Sequence, residues 1–291
     1  MSNILRKLIL GRKESRQPFM KPPLAIPGES LREKLDDELF GFALALYIPF
    51  LLFLLVVYKT IFSAPLSHLL SFWVYMITSL PVLLVAILYG RRKIRKILTY
   101  RQGFMGEQII GQELERSRSM GYVVFHDIYN EQKKFNVDHI AIGKPGIVVV
   151  ETKSKSKLKK GSPEIVYDGT RLTFPDRTYT MDPLDQVEAN AKWIQELAHK
   201  LIAEKKNAKC QFNNKNPVPV VRIVVYPGWY VDYEEARKVK AKTMVTNDEM
   251  LVDNVIKSLK QPLELTDGMI TELQELFEYY LREKNKEMIE Y

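Results

Sequence analysis

The sequence predicts an α/β fold: a mixed sheet flanked by helices, preceded by a two-helix transmembrane hairpin. Three observations predict it. Two uncharged apolar runs, residues 39–58 and 69–89, follow each other closely. A β-branched run, "GIVVVETK" at 146–153, has the continuous hydrophobicity of a central strand covered on both faces. Helical periodicity brackets the strand patterns, at 104–118 before them and from 182 onward after them.

The 291 residues leave room for about two domains. Hydrophobic residues make up 46% and charged ones 27%, so the chain is neither disordered nor wholly embedded in lipid. A formal net charge of +8 suits an anionic partner, nucleic acid or acidic lipid. Cys210 is the single cysteine, which excludes an internal disulfide and any cysteine-based metal cluster. His68, His126, His139 and His199 lack zinc-site spacing.

The elements follow in order. Residues 1–38 form a basic N-terminal tail (Arg6, Lys7, Arg12, Lys13, Arg16, Lys21). Residues 39–58 would cover about 30 Å as a helix, the thickness of a bilayer's hydrocarbon, and Pro49 is tolerated in such a span. The run 69–89 repeats the pattern with Pro81. Residues 91–102 are a basic juxtamembrane linker carrying Arg91, Arg92, Lys93, Arg95, Lys96 and Arg101. Positive charge stays on the cytoplasmic side, so both termini are expected in the cytoplasm and the protein in the plasma membrane, crossing it twice.

Residues 103–230 read as one domain. It opens with a helix at 104–118, then strands at 121–128, 135–143 and 146–153. In "FNVDHIAIG" strict alternation sets Phe135, Val137, His139 and Ala141 against Asn136, Asp138, Ile140 and Ile142. "VYDGTRLTF" reads as a hairpin turning at Asp168-Gly169. The next helix takes Asp182 as N-cap and Pro183 as its first residue. A buried strand follows at 218–228. Residues 231–291 form a C-terminal helical extension whose two helices are capped by Thr246 and Thr266.

The turn "GKPG" brings the chemistry together. A hairpin centred between Lys144 and Pro145 sets Asp138 opposite Glu151 on one face, Cβ atoms about 5 Å apart. Lys153, two residues on, leaves from that same face. Paired carboxylates repel unless one is protonated or a cation sits between them. Hard oxygen ligands suit Mg²⁺ (or Mn²⁺), and a lysine beside it can orient a water or steady a phosphoryl group. The bland alternative is a charged strand end that reaches solvent. The run Lys153, Lys155, Lys157, Lys159 and Lys160 is either a solvated loop or a track for a phosphate backbone.

"GEQIIGQELE", "FNVDHIAIGKPGIVVVETKSKSK", "PLDQVEANAKWI" and "VVRIVVYPGW" together resemble the nuclease-related domain (NERD) family, which is similar in turn to PD-(D/E)xK, restriction-endonuclease-like nucleases. The resemblance implies a restriction-endonuclease-like sheet and one or two Mg²⁺ ions. It assigns metal ligation to Glu107, Asp138 and Glu151, and catalysis to Asp138, Glu151, Lys153 and Gln186. Glu107 also has a plain reading, an acid favoured in a first helical turn, and Gln186 that of a surface residue. The expectation is therefore a membrane-anchored, Mg²⁺-dependent nuclease acting on DNA (or RNA) at the cytoplasmic face. The alternatives are a non-catalytic nucleic-acid-binding module or a protein adaptor using the helix at 266–290.

Overall fold

The computed structural model describes the backbone of residues 24–62, 68–130, 135–157, 162–205, 212, 216–260 and 264–290, with side chains left undescribed at 56, 59–83 and 284–290. The basic N-terminal tail from Arg6 to Lys21, Lys159, Lys160 and Cys210 lie outside the described residues, as do the side chains of most of the second apolar run. The chain divides into two compact units, one built on Ser30–Gln102 and the other on Gly103–Tyr291 with the segment ending at Glu29.

Two long helices make the first unit's frame: α1 (Glu29–Phe62), with Pro49 inside it, and α2 (His68–Arg116). Glu29–Leu55 is long and apolar enough to cross a membrane, with a mean hydropathy of 2.2 in its most apolar window. Its apolar side chains, among them Leu46, Phe50 and Phe53, are exposed. Within this unit Glu38 on α1 pairs with Lys93 and, at 3.7 Å, with Lys96 on α2. Residues 91–102, expected as a linker, are helical and continuous with the helix expected at 104–118. Nothing in "RRKIRKILTYRQ" breaks a helix: it holds no glycine or proline.

The second unit is the α/β domain. Its strands and helices are β1 (Val123–Asn130), β2 (Phe135–Gly143), β3 (Gly146–Thr152), β4 (Glu164–Tyr167), β5 (Leu172–Thr173), β6 (Tyr179–Thr180), α3 (Asp182–Glu204), β7 (Val220–Val225), β8 (Tyr230–Asp232), α4 (Glu234–Lys238), β9 (Thr243–Thr246), α5 (Asp248–Met250) and α6 (Asp267–Glu290). The main sheet has the order β1-β2-β3-β7-β9. Its first three strands are antiparallel, while β3, β7 and β9 run parallel, so the sheet is mixed as expected. A second sheet of order β6-β5-β4-β8 contains the expected hairpin across Asp168-Gly169.

Both faces of the main sheet are covered. On β3, Ile147 and Val149 join one core with Val187, Ala191 and Ile194 of α3 and Ile270, Leu273 and Phe277 of α6. Val148 and Val150 join the other, with Ile110 and Leu114 of α2 and Leu251, Val252 and Ile256. Each such side chain contributes about 1.5–3 kcal/mol by leaving water. This is why β3 reads as an unbroken hydrophobic run.

Several details differ from expectation. Strict alternation in β2 fails: Val137 packs in the core of Ile140 and Ile142, while Ala141 packs in the other. The partner strand β1 turns left-handed at Asp127 (φ 53), opposite Asp138, and the faces switch there. Asp182 is the first residue of α3 rather than its cap; the carbonyl of Met181 accepts the Leu184 and Asp185 N–H groups instead. Asn247, not Thr246, caps the helical turn at 248, because Thr246 is the last residue of β9. Thr266 does cap α6, accepting from the Met269 N–H. Residues from 231 on are not helix alone: β9 is an integral strand of the main sheet, and α6 closes its core.

Candidate active site

The site is built at the C-terminal end of β3, and the turn before that strand sets it. Gly146 takes φ 117, and a Cβ there would lie 2.2 Å from the Pro219 carbonyl oxygen, so only glycine fits. The turn fixes the ladder: Gly143 pairs Gly146, Ile142 pairs Ile147, and so on to His139 with Val150. This is the register the sequence predicts, and its next step would set Asp138 against Glu151. The backbone pairing stops one residue short. Asp138 substitutes its side chain, whose Oδ2 accepts the Thr152 N–H at 2.8 Å. β3 meanwhile continues beside β7 through Glu151 and Thr152.

Glu151 is 1% exposed, and each of its oxygens is held. Oε1 lies 2.6 Å from Lys153 Nζ, and Oε2 accepts from Asn190 Nδ2 at 2.9 Å. Lys153 Nζ also donates to Gln186 Oε1 at 2.7 Å. Gln186 and Asn190 stand four residues apart on α3, hence on one face. Glu107 comes from α2 and is buried. Its neighbour Gly106 allows a close approach: a Cβ there would lie 1.9 Å from Ser154 Oγ.

Electrostatics tie these residues together. Burial pushes Asp138 well above the usual carboxylate range, and the charges of Glu151 and Glu107 push it further, against the Thr152 amide and Lys153. Burial also raises Glu151, opposed by Lys153 and Asn190. Tyr226, buried beside them, is raised by burial first and then by the charges of Glu151 and Asp182. Burial and the like charges of Glu151 and Glu107 disfavour an ionised Asp138, a strain that a proton or a cation would relieve.

All five residues singled out in the sequence are therefore linked, Glu107 through its charge on Asp138 and the others through hydrogen bonds, ion pairs or charge. Among the described residues, however, no three His, Cys, Asp or Glu side chains form a ready-made cage for a metal ion. Sequence reasoning missed Asn190 as the holder of Glu151. Its signal was the spacing of four from Gln186. It also missed the aromatic wall of Phe174, Tyr226 and Trp229, whose rings meet edge-on at 5.7–5.8 Å. Lys155 Nζ lies 3.4 Å from the Phe174 ring centroid.

The second unit is thus an α/β domain, a mixed sheet wrapped by helices, with carboxylates and a lysine gathered at the end of its central strand. Residues 102–227 match the family model of the nuclease-related domain, which supports the NERD family for this segment and a nuclease-related function. No curated protein and no solved structure matches the chain.

Proposed function

We propose that the domain hydrolyses phosphodiester bonds in nucleic acid, DNA or RNA, with Mg²⁺ or Mn²⁺, as the PD-(D/E)xK-like nucleases that it resembles do. The observation that carries this reading is the end of β3, where Asp138 accepts from the Thr152 N–H and Glu151 is paired with Lys153, which also donates to Gln186. Buried carboxylates are hard oxygen donors of the kind that suit a divalent ion keeping part of its water shell. Asp138, Glu151 and Glu107, whose charge acts on Asp138, would hold the ion. When bound, such an ion would supply charge neutralisation at the phosphate and a more acidic water.

The chain's own side chains do the rest. Lys153, fixed by Glu151 and Gln186, orients the attacking water and steadies the phosphoryl oxygens as negative charge builds there. Asn190 keeps Glu151 aimed by holding its second oxygen. Water adds to phosphorus and gives up a proton to solvent, one P–O ester bond breaks, and the leaving oxygen takes a proton from solvent.

The same reading places the protein in the plasma membrane as a two-span hairpin with both termini cytoplasmic. It is supported by the apolar exposed α1, by the pairing of Glu38 with Lys93 and Lys96 beyond the second run, and by the basic stretch at 91–101. The deciding experiment incubates the purified full-length chain in detergent with supercoiled DNA, linear DNA and RNA, with and without Mg²⁺ or Mn²⁺. Metal-dependent cleavage lost in Asp138→Ala and Lys153→Ala supports the reading. Absence of cleavage, or cleavage unchanged from wild type in both variants, rejects it. Salt-sensitive binding that survives Asp138→Ala without any cleavage would mark a binding module instead.

A further inference from the structure

The second sheet presents two different edges on its outer face. The register sets Asp232, Val166, Thr173 and Tyr179 side by side across it, with Glu164 and Tyr230 as the next row on β4 and β8. Tyr179 is 66% exposed and Tyr230 is 63% exposed, so each edge displays an aromatic ring to solvent. Their surroundings differ in charge. Tyr230 has Glu164 opposite it and Asp232 two residues along. Tyr179 has the Arg171 guanidinium 5.6 Å from its ring centroid, and Arg177 stands exposed in the turn just before it.

The Tyr179 edge also leads back to the active site. Lys155, two residues beyond Lys153, reaches Thr178 Oγ1 at 3.4 Å. The acids of this edge are already engaged. Asp176 accepts from the Thr178 N–H and hydroxyl, and Asp168 accepts from Thr170 and from the Arg171 N–H groups. Lys153 and Arg171 are ion-paired with Glu151 and Asp168, and Lys155 and the exposed Arg177 stand between them on the way to the exposed ring of Tyr179.

We infer that the β5–β6 edge holds the single-stranded part of the substrate, with a base stacked on Tyr179 and its phosphates on Lys155 and Arg177. This inference rests on the nucleic-acid reading of the active site. A duplex hides the faces of its bases, whereas a single strand offers them, and stacking on an aromatic side chain tolerates any sequence. Phosphate contacts from the lysine and arginine set the register along the strand and make binding salt-dependent. Glu164 and Asp232 repel a phosphate backbone, so the strand leaves over β6 and not over β8.

The test measures fluorescence anisotropy of a labelled 12-nucleotide single strand and of the matching duplex. It uses the full-length chain in detergent, with EDTA present to prevent cleavage. Wild type should bind the single strand more tightly. Tyr179→Ala should weaken that binding about tenfold, while Tyr179→Phe and Tyr230→Ala leave it nearly unchanged. Arg177→Gly suits the left-handed backbone at that residue (φ 63) and cannot harm the fold through strain. It should reduce the salt slope by about 0.7, the loss of one single-strand phosphate contact. Equal binding by Tyr179→Ala and wild type, a loss as large in Tyr230→Ala, or no single-strand binding at all overturns the inference. Hydrolysis of bis(p-nitrophenyl) phosphate with Mn²⁺, too small to reach Tyr179, is measured alongside. Its persistence leaves the active-site reading standing when the strand surface fails.

Discussion

Asp138 and His139 are neighbours on β2, both buried, and they head two polar clusters of opposite character. His139 meets His126 with Nδ1 to Nδ1 at 2.9 Å, and His126 Nε2 reaches Glu115 Oε1 at 3.1 Å. Burial lowers both histidines, His139 well below its ordinary value, because a charged imidazole is disfavoured there. A neutral pair shares one hydrogen bond, while His139 Nε2 is buried with no hydrogen bond among the described residues. The carboxylate cluster cannot close in this way. Its members are alike in charge, and Lys153 is ion-paired with Glu151 while acting on Asp138 by its charge. Burial drives both clusters toward neutrality, the histidines by losing protons and the carboxylates by gaining protons or a cation. That difference separates a structural polar cluster from one suited to bind a cation.

The comparison can be broken most directly through activity. Lys153→Ala should lower metal-dependent cleavage at least about 100-fold, in the range of lost charge stabilisation at a reaction centre. His126→Phe should leave the rate per folded molecule within about threefold. Initial rates on a fluorescent oligonucleotide measure both, and equal losses would erase the distinction between the clusters.

Stability gives the next largest effect. His139→Ala empties a fully buried position and should cost about 2–4 kcal/mol in urea unfolding. Asp138→Asn should do the opposite in metal-free buffer at pH 8, raising stability by about 1–2 kcal/mol, since it removes a crowded negative charge and keeps an acceptor for the Thr152 N–H. Destabilisation of similar size in both variants would show that the Asp138 charge is no burden to the fold.

The pH dependence sharpens the contrast by its sign. Asp138 is raised above its unfolded value, so the folded state binds the extra proton. Its contribution is present at acid pH and is lost as pH rises from the ordinary carboxylate range through the raised folded value. The histidines are lowered, so their contribution is present above the ordinary imidazole range and is lost as pH falls through the lowered folded values. Thermal unfolding across pH 4–9 without metal should show opposing limbs. Asp138→Asn should flatten the alkaline limb and His126→Phe the acid one. The smallest effect is expected from Asn190→Ala, a loss of about 1 kcal/mol in stability with cleavage reduced less than in Lys153→Ala, since one hydrogen bond to Glu151 is gone and the ion pair with Lys153 remains.

Much of the site was legible because hairpin register follows from local rules. The turn at Gly143–Gly146 fixes which residues face each other, and the period of two carries that pairing to the strand end. The apolar run ending in Leu55 is equally local, since its length and lack of charge suffice to mark it. By contrast, the face switch at Asp127 and Val137, the strand β9 and the second sheet's polarity went unread. Their periodic signals are short or broken, and β9 forms only because β7 offers it a parallel edge far away in sequence.

By itself the sequence determined the strands β2 and β3, their register, and the residue types at their ends, because each depends on neighbours a few positions apart. Only the tertiary structure decided that Glu107, Gln186 and Asn190 arrive at the same strand end, and that Asp138 caps Thr152 while His139 turns to His126. Those placements depend on helices α2 and α3 packing on opposite faces of one sheet. Packing of that kind is set by burial across long chain separations, which no local pattern encodes.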